Sequence, residues 1–278
     1  MGNPINITKR TNQFTHPWTV DEVEFVIKNI NLMSYRQMAK KIFRSPASIQ
    51  SKVRYLSVSK KVDKHALNQF FFNKWSDSMA YVLGFIAADG NICKTGNAHM
   101  IQIACDDKDV IQKIKSALSS ESPIYERKRM NSKVSYQIRF SDKRTYDCLL
   151  KLGITPKKSL TLQPPKNIPN KYLSHYIRGF FDGDGSVWES SRSKSKRLVS
   201  VFYTASSRMA KFIYKQVKSI CSEFAGTING IQTPNGDRLY YSIVLGHRDS
   251  LLLSNYLYRK ATIFLERKYN IFNKHHAS

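Results

Sequence analysis

The residues best suited to chemistry in this chain are Asp182 and Asp184, two positions apart and walled by glycine in "YIRGFFDGDGSV" at 176–187, at the end of an apolar run. An earlier stretch, "YVLGFIAADGNI" at 81–92, has the same layout with Ala87 in place of the first acid, so Asp89 stands alone. Acids in this setting fit a polar turn, a calcium loop, a glycosyltransferase-like D-x-D or a ligand set for a hard cation. An EF-hand fails on register. Counted from Asp182, the place of its turn glycine holds Val187 and that of its final glutamate Ser193. A D-x-D motif explains neither the duplication nor the charge of the chain, and a simple turn explains one stretch better than two.

The elements that position these acids repeat. From Asp89 to Asp184 is 95 positions, the length of a supersecondary unit rather than of a solenoid repeat. After "ADGNI" come a turn at 94–97 and a strand "HMIQIAC"; after "GDGSV" come a Ser/Arg/Lys-rich loop at 189–197 and a strand "LVSVFYT". Helices "DKDVIQKIKSAL" and "SRMAKFIYKQVKSI" follow, with apolar residues three to four apart. Hairpins turn near Met130-Asn131-Ser132 and at Pro234-Asn235-Gly236, and helices "SDKRTYDCLLKLGI" and "GHRDSLLLSNYLY" close the copies. Each copy reads helix, two strands, helix, two strands, helix. The predicted class is α+β: two pseudo-symmetric αββαββα repeats forming a saddle, preceded by a small all-α domain.

Glycine and alanine stripes say how the two motif helices meet. Residues three and four apart share a helix face, so Gly84 with Ala87 or Ala88, and Gly179 with Gly183, leave faces nearly free of side chains. Two such helices can pack backbone to backbone, which compensates a glycine penalty of up to roughly 1 kcal/mol. Their C-terminal acids then converge, repel each other and face the negative ends of two helix dipoles. A divalent cation relieves both problems.

Composition limits the partners. The chain carries 45 Lys and Arg against 20 Asp and Glu, a formal charge of +25, far more than solubility needs. Residues 1–75 hold 13 Lys/Arg and 4 Asp/Glu, so the excess is spread along the chain. A polyanion, foremost nucleic acid, is the partner this implies. With no span-length apolar run and no signal-like start, the reading is cytoplasmic or nucleoid-associated, with no membrane. Cys93, Cys105, Cys148 and Cys221 form no C-x-x-C pair, which points to reduced thiols.

The two motifs and the repeat order resemble the LAGLIDADG homing endonucleases in their single-chain, two-repeat form, over roughly residues 76–278. The matched residues run Val82 to Gly90 and Ile177 to Gly185, with further echoes in "LGITPKKSLTL" and "LERKYNIF". The resemblance implies a monomeric, site-specific double-strand DNA endonuclease that leaves short 3′ overhangs. It implies Asp89 and Asp184 as metal ligands, with the carbonyls of Ala88 and Gly183 as further donors, and Mg²⁺ or Mn²⁺ as the ion. Lys143 and Arg248 match the family's basic position less closely, and Lys143→Met should reduce cleavage more than binding. Ala87 makes the two sites unequal, because Asp182 can support hydrogen bonds that Ala87 cannot. Strand alternation directs Gln102, Gln137 and Arg139, and Ser200, Thr204, Arg238, Tyr240 and Ser242, away from the core towards bases. The alternative is a non-cleaving binder on the same scaffold, an intron RNA maturase or a DNA-binding regulator; possession of both acids argues against lost chemistry.

The front of the chain adds a module. Thr19 with Glu22 and Ser34 with Gln37 have capping-box spacing, and Ser45-Pro46 opens a third helix. The order "WTVDEVEFV", "YRQMAKKI", "RSPASIQSKVRYL" resembles a Myb/SANT-like helix-turn-helix. That resemblance makes Ser48, Gln50, Ser51, Lys52, Arg54 and Tyr55 candidate major-groove contacts. The expected domains are 1–56, arm and helix-turn-helix; 57–75, linker; 76–160, first repeat; and 161–278, second repeat.

Overall fold

The computed structural model of the chain describes residues 16–30, 33–56, 67–128, 134–190, 196–232, 236 and 239–276. It divides into two compact units, Met1–Lys64 and His65–Ser278. The division falls inside the expected linker, whose residues 57–66 lie outside the described ones. Its far end belongs to the second unit, where Phe72, in a short 3-10 turn at Phe71–Asn73, is buried in the core.

The first unit contains α1 (Val20–Asn29), α2 (Tyr35–Ile42) and α3 (Pro46–Tyr55). Both capping boxes form: Glu22 N donates to Thr19 Oγ1 at 3.2 Å, and Gln37 N to Ser34 Oγ at 3.2 Å, each answered by the acceptor side chain at the third position. Val26, Ile30, Met38, Ala39, Ile42, Ile49 and Val53 make one small core. Arg44 is fixed against Trp18, 4.3 Å from its ring centre, and paired with Glu22 at 2.8 Å.

The second unit has the duplicated order. The first copy runs α4 (Asp77–Asp89), β1 (Gly90–Thr95), β2 (Ala98–Cys105), α5 (Lys108–Ala117), β3 (Tyr125–Arg127), β4 (Ser135–Ser141) and α6 (Lys143–Lys151). The second runs α7 (Asn170–Asp184), β5 (Ser186–Ser190), β6 (Arg197–Thr204), α8 (Ser207–Ile220), β7 (Asn229–Gln232), β8 (Leu239–Leu245) and α9 (His247–Tyr258). A further helix, α10 (Glu266–Asn273), follows where the sequence shows only the echo "LERKYNIF". Each sheet is four-stranded and antiparallel, ordered β1-β2-β4-β3 and β5-β6-β8-β7. The fold is therefore α+β with two equivalent halves. Both expected hairpin turns fall largely outside the described residues, although Gly236 is seen at φ +73°.

The middle of the unit is the α4–α7 pair, buried from Met79 to Ala87 and from His175 to Asp182. A Cβ added at Gly84 would lie 2.0 Å from the Tyr176 carbonyl oxygen, and one at Gly179 would lie 2.0 Å from that of Tyr81. The two glycines thus exchange close approaches to the opposite backbone. At the C-terminal end a Cβ on Gly183 would sit 2.4 Å from Ala88 Cβ, so Ala88 rather than Ala87 faces that glycine. Among the described residues no helix is long and apolar enough to cross a membrane.

Candidate metal and nucleic-acid site

Because α4 and α7 pack at this distance, their last residues are neighbours: an added Gly183 Cβ would also lie 3.5 Å from Asp89 N. Asp89 is the last residue of α4 and Asp184 the last of α7. Their charges interact. Burial, followed by the negative charge of Asp89, pushes the Asp184 carboxyl up to about 7. Asp89 keeps a solvent-accessible side chain, yet the protein packed around it also raises its pKa, against the pull of Lys268 and Lys158.

Lys158 and Lys268 are the cations that reach these helix ends. Lys158 is buried, with Nζ donating to the carbonyl oxygens of Ala88 at 3.1 Å and Gly90 at 2.5 Å. Lys268, also buried, donates to those of Phe181 at 2.6 Å, Asp182 at 2.8 Å and Gly185. Each ammonium therefore adds a donor to carbonyls at a helix end, where the last carbonyls run out of intrahelical partners, although that of Phe181 also accepts from Gly185 N at 2.8 Å. Burial pulls Lys268 down to about 8 while Asp182 opposes the change, so it stays largely protonated at neutral pH. Lys158 is lowered by burial and held up by Asp184 and Asp89.

Lys143 and Arg248, the basic residues chosen from sequence, do not come to the acids. Gly90 pairs with Ile103, which pairs with Ile138; β4 then runs three residues further to Ser141, about 10 Å at strand rise, before Lys143. Lys143 is exposed there and paired with Asp147 at 2.7 Å. Arg248 starts α9 beyond the matching end of β8, exposed and paired with Glu223. The two lysines that do reach the acids lie in the echo segments, where a short basic pair follows a buried hydrophobic residue in both copies: Lys157-Lys158 after Ile154, and Arg267-Lys268 after Leu265. That repetition was a usable signal.

Asp182 turns away from the opening. Its buried carboxylate accepts from Tyr81 Oη at 2.9 Å, Tyr258 Oη at 3.1 Å and Leu265 N at 2.9 Å. One turn earlier, Arg178 donates to the carbonyls of Ile263 at 2.9 Å and Leu257 at 2.8 Å. Together they tie the segment leading into α10, and hence Lys268, to α7. The matching positions on α4 are Leu83 and Ala87, both buried and without such bonds.

The register sorts the proposed base contacts. Gln102, Gln137 and Arg139 share the face of the first sheet opposite Ile101, Ile103 and Ile138; Gln102 Nε2 donates to Gln137 Oε1 at 2.8 Å, and Arg139 is exposed. In the second sheet Tyr240 and Ser242 lie on the corresponding face, with Ser242 largely covered. Ser200 and Thr204 do not: they share the core face with Phe202, and Ser200 Oγ donates to Ser250 Oγ at 2.6 Å. Alternation was started on the wrong residue because small hydroxyls inside a core read like surface polar groups. Arg238 lies outside the described residues. On α3, Gln50, Ser51, Arg54 and Tyr55 are exposed; Ser48 is partly covered, and Lys52 lies 5.5 Å from the Trp18 ring centre.

The oxygen donors at the paired helix ends fit a hard divalent cation. Two acids converge where both are destabilised as anions, and among the described residues no group of three or more His, Cys, Asp or Glu side chains forms a metal cluster. A cation at two carboxylates keeps positions for water and phosphate oxygens, the habit of Mg²⁺.

Comparison with known proteins finds one family match, within the first repeat, and likenesses to several solved structures. Residues 76–153, from the cap of α4 to just past α6, match the family described as "LAGLIDADG-like domain". The uncharacterized protein MJ0314 of Methanocaldococcus jannaschii is 30% identical over 119 residues, a match spanning 40% of this chain and 42%, under half, of that relative. Among solved structures, the homing endonuclease I-WcaI bound to its DNA recognition sequence is 15% identical, with TM-score 0.47, over 79% of this chain and 96% of that one. The LAGLIDADG meganuclease I-CpaMI bound to uncleaved DNA is 13% identical, with TM-score 0.48, over 72% and 90%.

Proposed function

We propose that the chain is a site-specific double-strand DNA endonuclease that uses a divalent cation. The observation that carries this reading is the convergence of Asp89 and Asp184 at two helix ends whose backbones are in contact, in a chain of charge +25. Asp89 and Asp184, with the carbonyls of Ala88 and Gly183, would hold Mg²⁺ or Mn²⁺. When bound, such an ion lowers the pKa of water and stabilises charge on the attacking and leaving oxygens of a phosphodiester.

The remaining work falls to this chain's own residues. Ala88 O is already engaged by Lys158, so the carboxylates are the principal ligands. Lys158 and Lys268 neutralise carbonyl dipoles beside the acids and place positive charge where the scissile phosphates would lie. One acid and one lysine per repeat provide two stations, one for each strand. Lysines and arginines elsewhere supply phosphate contacts, which give affinity that falls with salt. The module at α1–α3 extends the footprint, with the exposed edge of α3 in the major groove.

Incubating the full chain with a randomised duplex library and Mg²⁺ tests the reading. Recovery of one class of cut sequence, absent when EDTA is added, is expected. Selective binding without breaks would contradict it and point to the regulator or maturase role.

A further inference from the structure

The two sheets match in topology but not in the surface they turn away from the helices. In the first, Gln102 pairs with Arg139, Asn91 and Gln137 lie beside them, and Arg139 stands 4.8 Å from the Tyr125 ring centre. In the second, the pair at the same place is Val201, itself buried, with the exposed Val244. Around it the register sets Trp188, Val199, Tyr203 and Tyr240 on that face, with Ser186 at one side and the exposed Arg197 at the strand end. Trp188 is 42% exposed and Val244 43%, and Val199, Tyr203 and Tyr240 are half-buried. The first face offers hydrogen-bond donors and acceptors; the second offers aliphatic and aromatic surface. An apolar patch left in water on so basic a chain calls for an occupant.

The placement of the sheets says which. β1 begins immediately after Asp89, and β5 two residues after Asp184. A duplex that presents a phosphate to each acid therefore runs along both sheets. Valines cannot satisfy the acceptors of a purine edge, and the one apolar group in the major groove is the thymine methyl. Resting on the duplex reading above, we infer that the second sheet recognises thymine methyl groups, so the target is divided. The half over the second sheet is thymine-rich, and the half over the first is read by hydrogen bonds from Arg139 and from Gln102, which the buried Gln137 holds in place. Tyr203 and Tyr240 add the few polar contacts of the second half.

The test selects duplexes by binding to the full chain at fixed salt, without requiring cleavage. Arg139→Ala and Val244→Asn each shift base preference in one half, which assigns the halves to the sheets. Thymine is then replaced by uracil in one half at a time. Each methyl removed over the second sheet is expected to weaken binding roughly fourfold, an effect blunted in Val244→Asn, with little change over the first sheet. Specific binding with equal or no response to uracil in the two halves overturns the inference. So does a selected half-site without thymine enrichment, the outcome if this face serves a protein partner. Absence of any sequence-specific duplex binding overturns this inference and the nuclease reading together, whereas a thymine effect without strand breaks removes the nuclease reading alone.

Discussion

Lys158 and Lys268 carry the sharpest residue-level consequences, because each is buried, donates to helix-end carbonyls and lies beside an acid. Lys158→Met and Lys268→Met should each lower the cleavage rate about 10- to 100-fold with duplex binding within a few-fold, a range set by the loss of one positioned charge. Lys143→Met and Arg248→Met should leave cleavage close to wild type, as measured by single-turnover kinetics. Lys268→Met should also lower thermal stability, since three buried hydrogen bonds to carbonyls are lost. Asp184 supplies a pH signature. Its folded pKa of about 7 exceeds that of an unfolded aspartate, so between about 4 and 7 the folded state binds more protons than the unfolded one. Stability in EDTA should therefore fall as pH rises through that window, by on the order of 2 kcal/mol after solvent screening. Asp184→Asn should remove the decline, and Mg²⁺ should offset it in the wild type. A flat melting profile in EDTA would show that the acids are not crowded.

At the scale of elements, the α4–α7 contact sets everything else. Gly84→Ala or Gly179→Ala pushes a methyl into a facing carbonyl 2.0 Å away, so the helices must separate. A loss of roughly 3 kcal/mol by denaturant unfolding is expected for either; a change under about 0.5 kcal/mol, the range of neutral surface substitutions, would mean the helices have slack. This contact was legible in the sequence, because glycine and alanine at three-to-four spacing have few other uses in a buried helix. The duplicated order of strands and helices was legible too, from two periodicities and a repeat. The role of Asp182 was only half legible. A polar residue beside a motif acid reads as part of the site, and nothing local shows that its partners are Tyr81, Tyr258 and Leu265, as many as 101 residues away. Likewise α10 is too short and too polar to register by period, and the repeated basic pair of the echo segments marks the lysines without showing that they lie at the helix ends.

For the molecule as a whole, the two halves share a topology and differ in how they are held. The second lysine arm is tied to α7 by Arg178 and Asp182, whose matching positions on α4 are the apolar Leu83 and Ala87, and the two sheet faces differ in chemistry. Such a chain suits a target without twofold symmetry. Charge reversal of Lys52 and Arg54 should weaken target binding at least tenfold at moderate salt if α3 touches DNA; unchanged affinity in a filter-binding titration would reduce the front unit to a spacer. The most direct test of the paired acids follows both strands of an end-labelled selected duplex in Mg²⁺, with wild type, Asp89→Asn and Asp184→Asn. The account predicts that the wild type breaks both strands and that either substitution lowers double-strand cleavage at least 100-fold, on the scale of losing a group that stabilises the transition state, with binding retained. Double-strand breaks continuing at the wild-type rate in either variant would contradict it.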